Sequence, residues 1–517
     1  MALEGIDNPN IHVVLDCVIP FITDRNTLSL ICQKSYDIEG KTRRHVTVET
    51  HYATSPSRVC QRFPFLQSLT LHGTPELDDH DVFITPWVQQ ITSSLYLLNS
   101  VCFERLFISD SDLELLAQTR GKQLRVIEVS WCAGFSTSGL FHIGRYCNNL
   151  RDLCLFRNKI DENGENWLRE LGSRNTVIEK LKFQAVNFDI KDFVIVAKNC
   201  RLVSVKIDSR DFIDFVEFFR YAVYLEEFGC GEFSYDHKDD YNYTLKFPNS
   251  LKHLMMRISY RYPDVKNVSF AHFITELNCK DGYPHGRHGR HVGELIKSCC
   301  NLKVLYTTGF MGDDGLRDVS ICCKKLRKLY VNQWGYHKPN VSHNGVSFLA
   351  KQCVELECLH IGFVSMTNKV LCKIGKHMKK LKEFKMGLVY KHNFPPDDEV
   401  RSLLIGCDKL EKLDLHFVCE LGLFVCGLGL SDKGLEYIGK YGCNLRHLTF
   451  RGNVGESDAG LVELSKGCPK LKYLATVGCR FSKEAFDIFR CNVTSLRHLR
   501  VDGILSSAYR SMEPKEG

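Results

Sequence analysis

The sequence predicts an α/β leucine-rich-repeat solenoid, with a parallel sheet on the concave face, helices outside and a small helical module at the N-terminus. Two observations carry this. The spacing L-x-x-L-x-L, or a close variant, returns about every 27 residues from Leu66 to Leu496, within the range of such repeats. Each unit pairs a short alternating run, such as Leu326-Arg-Lys-Leu329-Tyr-Val331, with an amphipathic stretch such as 345–352, the patterns of a strand and a helix. A unit of that length buries too little apolar surface to fold alone, so the units must stack.

Residues 1–50 precede the repeats and lack their pattern. Val14, Leu15, Val18, Ile19 and Ile22, then Leu28, Leu30, Ile31 and Cys32, predict two or three short helices broken near 23–26. Such a module either caps the open core of the first repeat or offers apolar side chains to a partner. The solenoid, 51–517, is anchored at Leu66, Leu98, Leu124, Leu150, Ile178, Leu202, Leu225, Leu251, Ile274, Leu302, Leu326, Leu356, Leu381, Leu410, Leu445, Leu471 and Leu496. In each strand the leucines point into the core, and the residues four and six after the anchor turn outward onto the concave face. A ligand would touch those two columns. Long gaps place insertions at 73–83, 333–345, 389–398 and 417–429; extra residues in a repeat become rim loops, where function concentrates.

The net charge of +7 is thinly spread, with no Lys/Arg block, so a nucleic-acid partner is not expected. No apolar run reaches 18 residues, and 1–10 is polar and acidic; neither a membrane span nor a secretory signal is expected. Among the 24 cysteines, Cys147, Cys200, Cys300, Cys323, Cys353, Cys407, Cys443, Cys468 and Cys491 stand two to five residues before an anchor. Repetition at one structural position is a packing signature, whereas zinc needs donors converging on one point. Core thiols, no metal and a reducing compartment are the expectation.

Ile22-Thr-Asp24, Thr42-Arg-Arg-His-Val-Thr-Val48, Arg62-Phe-Pro-Phe-Leu-Gln-Ser-Leu69 and Thr85-Pro-Trp-Val88 are followed by Arg401-Ser-Leu-Leu-Ile-Gly-Cys407, Val454-Gly-Glu-Ser-Asp-Ala-Gly-Leu461 and Gly467-Cys-Pro-Lys-Leu471. In these stretches the chain resembles the plant coronatine-insensitive F-box proteins, the jasmonate receptors, and more distantly the auxin receptors. The resemblance implies an F-box at about 11–50 that docks a Skp-type adaptor of a cullin ubiquitin ligase. Val14, Leu15, Ile19, Leu28 and Ile31 would be its adaptor-facing or core residues. It further implies a solenoid that captures a jasmonate-domain repressor for proteasomal degradation, with jasmonoyl-isoleucine as glue and an inositol phosphate beneath. Such a protein is a non-catalytic recognition subunit of the nucleus or cytoplasm, and needs no cofactor for chemistry.

The pocket departs from the family. By alignment the loop after Leu71 is shortened to 73–83 and lacks the Arg and Phe that cover the hormone. Thr308 and Val477 stand where the family has arginines, Gly362 and His416 where it has tyrosines, and His447 where it has a Trp; only Lys385 keeps a cation. An arginine fork grips a carboxylate with two charge-assisted bonds that Thr and Val cannot offer. Hormone binding far weaker than in an intact receptor is therefore expected, with Lys385, His416, Arg451 and Asn332 left to accept an anion or contact a peptide. In the F-box, Ser35 and Tyr36 replace a Trp-Phe pair, and the stretch after Asp24 is about three residues shorter. The competing reading is a repeat scaffold or decoy that binds protein partners without ubiquitin chemistry or hormone.

Other signals count for less. His285, His288 and His291 form a run in a Gly/Pro-rich loop without a Cys or carboxylate beside them, and Gly427-x-Gly429 lacks a third glycine. Without G-x-S-x-G, P-loop or H-E-x-x-H, catalysis has no residues to rest on.

Overall fold

The computed structural model describes residues 25–52, 55–74, 83–184, 186, 188–208, 215–233, 246–258, 271–279, 295–308, 312–332, 341–365, 370–390, 395–419, 429–452, 454–479 and 481–502. Two compact units divide the chain: Met1–Glu232 with Lys246–Leu251, and Phe233–Leu245 with Lys252–Gly517. Both are built as α/β leucine-rich-repeat solenoid.

The first unit holds β1 (His45–Glu49), β2 (Ser68–His72), β3 (Ser100–Glu104), β4 (Val126–Ser130), β5 (Phe135–Ser136), β6 (Asp152–Phe156), β7 (Ile160–Asp161), β8 (Lys180–Gln184), β9 (Ser204–Asp208) and β10 (Glu227–Phe233). Its main sheet is parallel throughout, in the order β1-β2-β3-β4-β6-β8-β9-β10, while β5 and β7 pair separately. The second unit holds β11 (His253–Ile258), β12 (Glu276–Asn278), β13 (Val304–Thr308), β14 (Lys328–Asn332), β15 (Val341–Ser342), β16 (Cys358–Ser365), β17 (Glu383–Tyr390), β18 (Lys412–Cys419), β19 (His447–Arg451), β20 (Tyr473–Val477) and β21 (His498–Asp502). They too are parallel, in chain order, with β15 as a short addition to β16. The strands predicted at Leu326, Leu356 and Leu381 are neighbours, β14-β16-β17, as the repeat requires.

The core lies where the leucines point. Sixteen of the seventeen anchors are at most 2% exposed, and only Leu496, in the last described repeat, is half-buried. In the first unit the core becomes aromatic: Phe193 stacks on Phe218 at 4.4 Å, and Phe219 and Phe247 meet edge-on at 5.3 Å.

Within the expected two-to-five window most of the buried cysteines share one position. Cys147, Cys299, Cys323, Cys353, Cys407 and Cys468, each three residues before an anchor, are buried. Here the helix ends, and the cysteine carbonyl accepts the anchor's N–H, as in Leu326 to Cys323 at 3.2 Å and Leu356 to Cys353 at 3.3 Å. Out of that register Cys300 is half-buried and Cys443 and Cys491 are exposed, while Cys200, two residues before Leu202, stays buried. Burial pushes the Cys147, Cys407 and Cys468 thiols up to about 12, so they remain neutral packing groups.

A polar spine joins successive helices. Asp110 accepts the Ser136 N–H at 2.7 Å and its hydroxyl at 2.6 Å. Ser342 bonds Asp313, Ser431 bonds Asp397, Ser457 bonds Asp432 and Ser482 bonds Asp458 in the same way through the backbone N–H. Each serine also caps its own helix, so one carboxylate orients the cap of the next repeat.

Candidate functional site

In the second unit, register aligns the outward residues into rows across the strands. The row four after the anchors runs Tyr306, Tyr330, His360, Lys385, Asp414, Thr449 and Ala475. The row two after them runs Lys328, Cys358, Glu383, Lys412, His447 and Tyr473. The row six after them is interrupted at β16, where the register shifts between Ile361 and Phe363 so that Gly362 bulges, and it resumes as Gly387, His416, Arg451 and Val477.

Lys385, His416 and Arg451 therefore sit on consecutive strands, β17, β18 and β19. Asn332 is apart from them: it ends β14, with β16 between it and β17. Burial holds the His416 imidazole below its ordinary pKa and Arg451 adds to the effect, so the ring is neutral at neutral pH. Arg451 is exposed and makes no ion pair among the described residues. Lys385 is already engaged, its Nζ 2.9 Å from Asp414 Oδ2.

That engagement repeats. Lys412 Nζ lies 3.4 Å from Glu383 Oε2, and His360 Nε2 lies 2.9 Å from Glu383 Oε1. Beneath them is a depression of about 220 Å³ lined by Glu383, Lys385, Lys412, Asp414, His447 and Tyr473, among others. Its floor is charge-compensated, with Glu383 beside Lys412 in one row and Lys385 beside Asp414 in the other, and so attracts no anion by net charge. Toward β13 it gives way to aromatic rings: Tyr306 stacks on Tyr330 at 4.4 Å, and Tyr330 meets His360 edge-on at 4.7 Å.

Sequence reasoning missed Asp414, Glu383, His360 and the tyrosines. Asp414 and His360 fall four after Leu410 and Leu356, so the column itself held the signal. What the column lacks is the residue two after the anchor, which the strands also turn outward. The central parts of the four insertions, and His285, His288, His291 and Gly427, lie outside the described residues.

At the other end of the chain, Val14, Leu15 and Ile19 lie outside the described residues, and Leu28 belongs to the helix Arg25–Ser29. Ile31 is 63% exposed and its neighbour Leu30 84%. Of the substituted pair, Ser35 is buried, while Tyr36 lies under the Arg62 guanidinium at 3.8 Å. Arg62 also reaches fully buried Glu39 at 3.2 Å, which Arg43 bonds as well. The helix Gln33–Thr42 is thus tied to the first repeat's helix, Pro56–Arg62.

Residues 8–45 match the F-box family model. The chain is 36% identical to Coronatine-insensitive protein 1 of Arabidopsis thaliana over 96% of this chain and 86% of that one. It is 34% identical to Coronatine-insensitive protein homolog 1b of Oryza sativa subsp. japonica, over 97% and 85%. GRR1-like protein 1 of Arabidopsis thaliana is 30% identical over 94% and 85%. An F-box ahead of leucine-rich repeats is the build of a substrate-recognition subunit of a Skp-cullin-F-box ubiquitin ligase, a non-catalytic adaptor. With this likeness running nearly end to end, the chain belongs to the coronatine-insensitive family of F-box and leucine-rich-repeat proteins.

Proposed function

We propose that the chain recruits a repressor of the jasmonate-domain class to a cullin ligase with little or no help from jasmonoyl-isoleucine. The observation that carries this is the compensated floor of the second unit. Lys385, the one cation that the resemblance leaves at a family arginine position, is held by Asp414, and by the same resemblance Thr308 and Val477 stand in place of two further arginines. A carboxylate ligand would have to break an ion pair to gain one, whereas an extended peptide can match alternating charges as they stand. Any inositol phosphate would have to bind away from this floor. The protein would act in the nucleus or cytoplasm.

At the F-box, exposed Leu30 and Ile31 are the apolar contacts offered to a Skp-type adaptor. The scaffold reading draws its support from Tyr36, which is clamped by Arg62. Co-purification of the full chain with adaptor separates the two. Retention is expected, with Leu30→Asp and Ile31→Asp together weakening it at least tenfold, about 1.4 kcal/mol, while the melting temperature holds. Failure to retain adaptor under conditions where an intact receptor does so leaves the scaffold reading. In a pull-down of a repressor degron, capture should change little on adding hormone, and Thr308→Arg with Val477→Arg should strengthen any residual dependence. Robust hormone-dependent capture by the unaltered chain would overturn the hormone part of the proposal.

A further inference from the structure

Cys358 stands outside the cysteine column. It follows its anchor by two residues, so it faces the open side of the sheet, as does His360 two residues on. Glu383 is the register partner of Cys358 on β17. A sulfur, an imidazole nitrogen and a carboxylate oxygen from these three residues all lie within 4.8 Å of one another. Cys358 is buried and the other two are half-buried, so the cluster is set into the sheet rather than displayed on a solvated loop.

His360 Nε2 is buried and pairs with Glu383 Oε1 at 2.9 Å. Both atoms become metal donors once the imidazole nitrogen facing Glu383 carries no proton. The carboxylate is also divided in use: Oε2 faces Lys412, leaving Oε1 on the His360 side. Tyr330 neighbours Cys358, its own register partner on β16 being His360. Lys412 and Tyr330 thus flank two of the three donors, the place that outer-shell partners take at metal sites.

We propose that Cys358, His360 and Glu383 form a three-donor site for a borderline divalent transition ion of the zinc class. The donor set of one thiolate, one imidazole and one carboxylate suits such an ion better than magnesium or calcium, which take oxygen alone. Three protein donors leave one tetrahedral position open. Glu383 and His360 both border the depression of about 220 Å³, so a water in the free chain would fill that position. Binding requires the Cys358 thiol, raised to about 11 by burial, to give up its proton to solvent as the sulfur–metal bond forms. The inference is independent of adaptor or hormone binding.

The test is cobalt titration of the chelator-treated full chain. A thiolate-to-cobalt absorption band should saturate at one equivalent and bleach on adding zinc. Cys358→Ser should abolish it, and Glu383→Gln, at a half-exposed side chain, should weaken cobalt binding at least tenfold without changing the circular dichroism. Replacing exposed Cys443 and Cys491 with serine should leave the band intact. A folded chain that shows no band overturns the proposal. So does a band that survives Cys358→Ser, is unaffected by Glu383→Gln, or disappears with Cys443 and Cys491. Zinc should also raise the melting temperature of the unaltered chain but not that of Glu383→Gln.

Discussion

Protonating His416 would set a second cation against Arg451 and charge a ring that burial keeps from water. His360 is held down in the same way, chiefly by burial, and His447 too. A base whose folded pKa lies below the ordinary 6.5 binds protons more readily unfolded than folded. Stability is therefore complete above that value and falls as the pH drops through it. Urea denaturation should give a lower unfolding free energy at about pH 5 than at about pH 7.5, and His416→Gln should shrink the difference. A flat profile would mean that the unfolded chain holds these rings just as neutral. At this scale the sequence was legible wherever the repeat imposes a position: the anchors and most of the buried thiols follow from counting. Ion pairs such as Lys385 with Asp414 are 29 residues apart and become visible only once the anchors are laid in register. The bulge at Gly362 breaks that register, and nothing in the spacing announces it.

At the scale of the element, the repeat is defined as much by its helix cap as by its leucines. A methyl group on Gly434 would sit 2.3 Å from Asp397 Oδ1 and 2.8 Å from a Leu430 methyl. Gly139, Gly345 and Gly460 face Asp110, Asp313 and Asp432 as closely, with the nearest carboxylate oxygen at 2.4–2.5 Å. The glycine is needed here for closeness, because the next helix must approach near enough for its serine to reach the carboxylate. Gly434→Ala should cost about 1–3 kcal/mol, read as a lower denaturation midpoint at unchanged slope. A neutral outcome would show that the cap can relax without loss. This motif, serine followed by glycine three residues on, was present in the sequence at Ser136, Ser342, Ser431 and Ser457 but was overshadowed by the leucine count. Hydrophobic periodicity reports the buried face of a helix and is silent about its end.

For the whole molecule, position along the array sets the weight of each repeat, since a unit contacts only its neighbours. Leu329 is fully buried between described repeats, whereas Leu496 in the last one is half-buried. Leu329→Ala should cost about 3 kcal/mol and Leu496→Ala about 1 kcal/mol or less, compared by chemical denaturation. Equal costs would show that the last described repeat is covered as well as the interior ones. The order of residues in the polar spine has a consequence for synthesis. In each of these five links the carboxylate belongs to the earlier repeat and the serine to the later one: Asp110 before Ser136, Asp313 before Ser342, Asp397 before Ser431, Asp432 before Ser457 and Asp458 before Ser482. At roughly 5–20 residues per second a ribosome releases a new repeat every few seconds. Each emerging serine meets an acceptor already held on a finished helix. The spine thereby gives the array a direction of growth, and the nascent chain is templated from behind rather than waiting for what has yet to be translated.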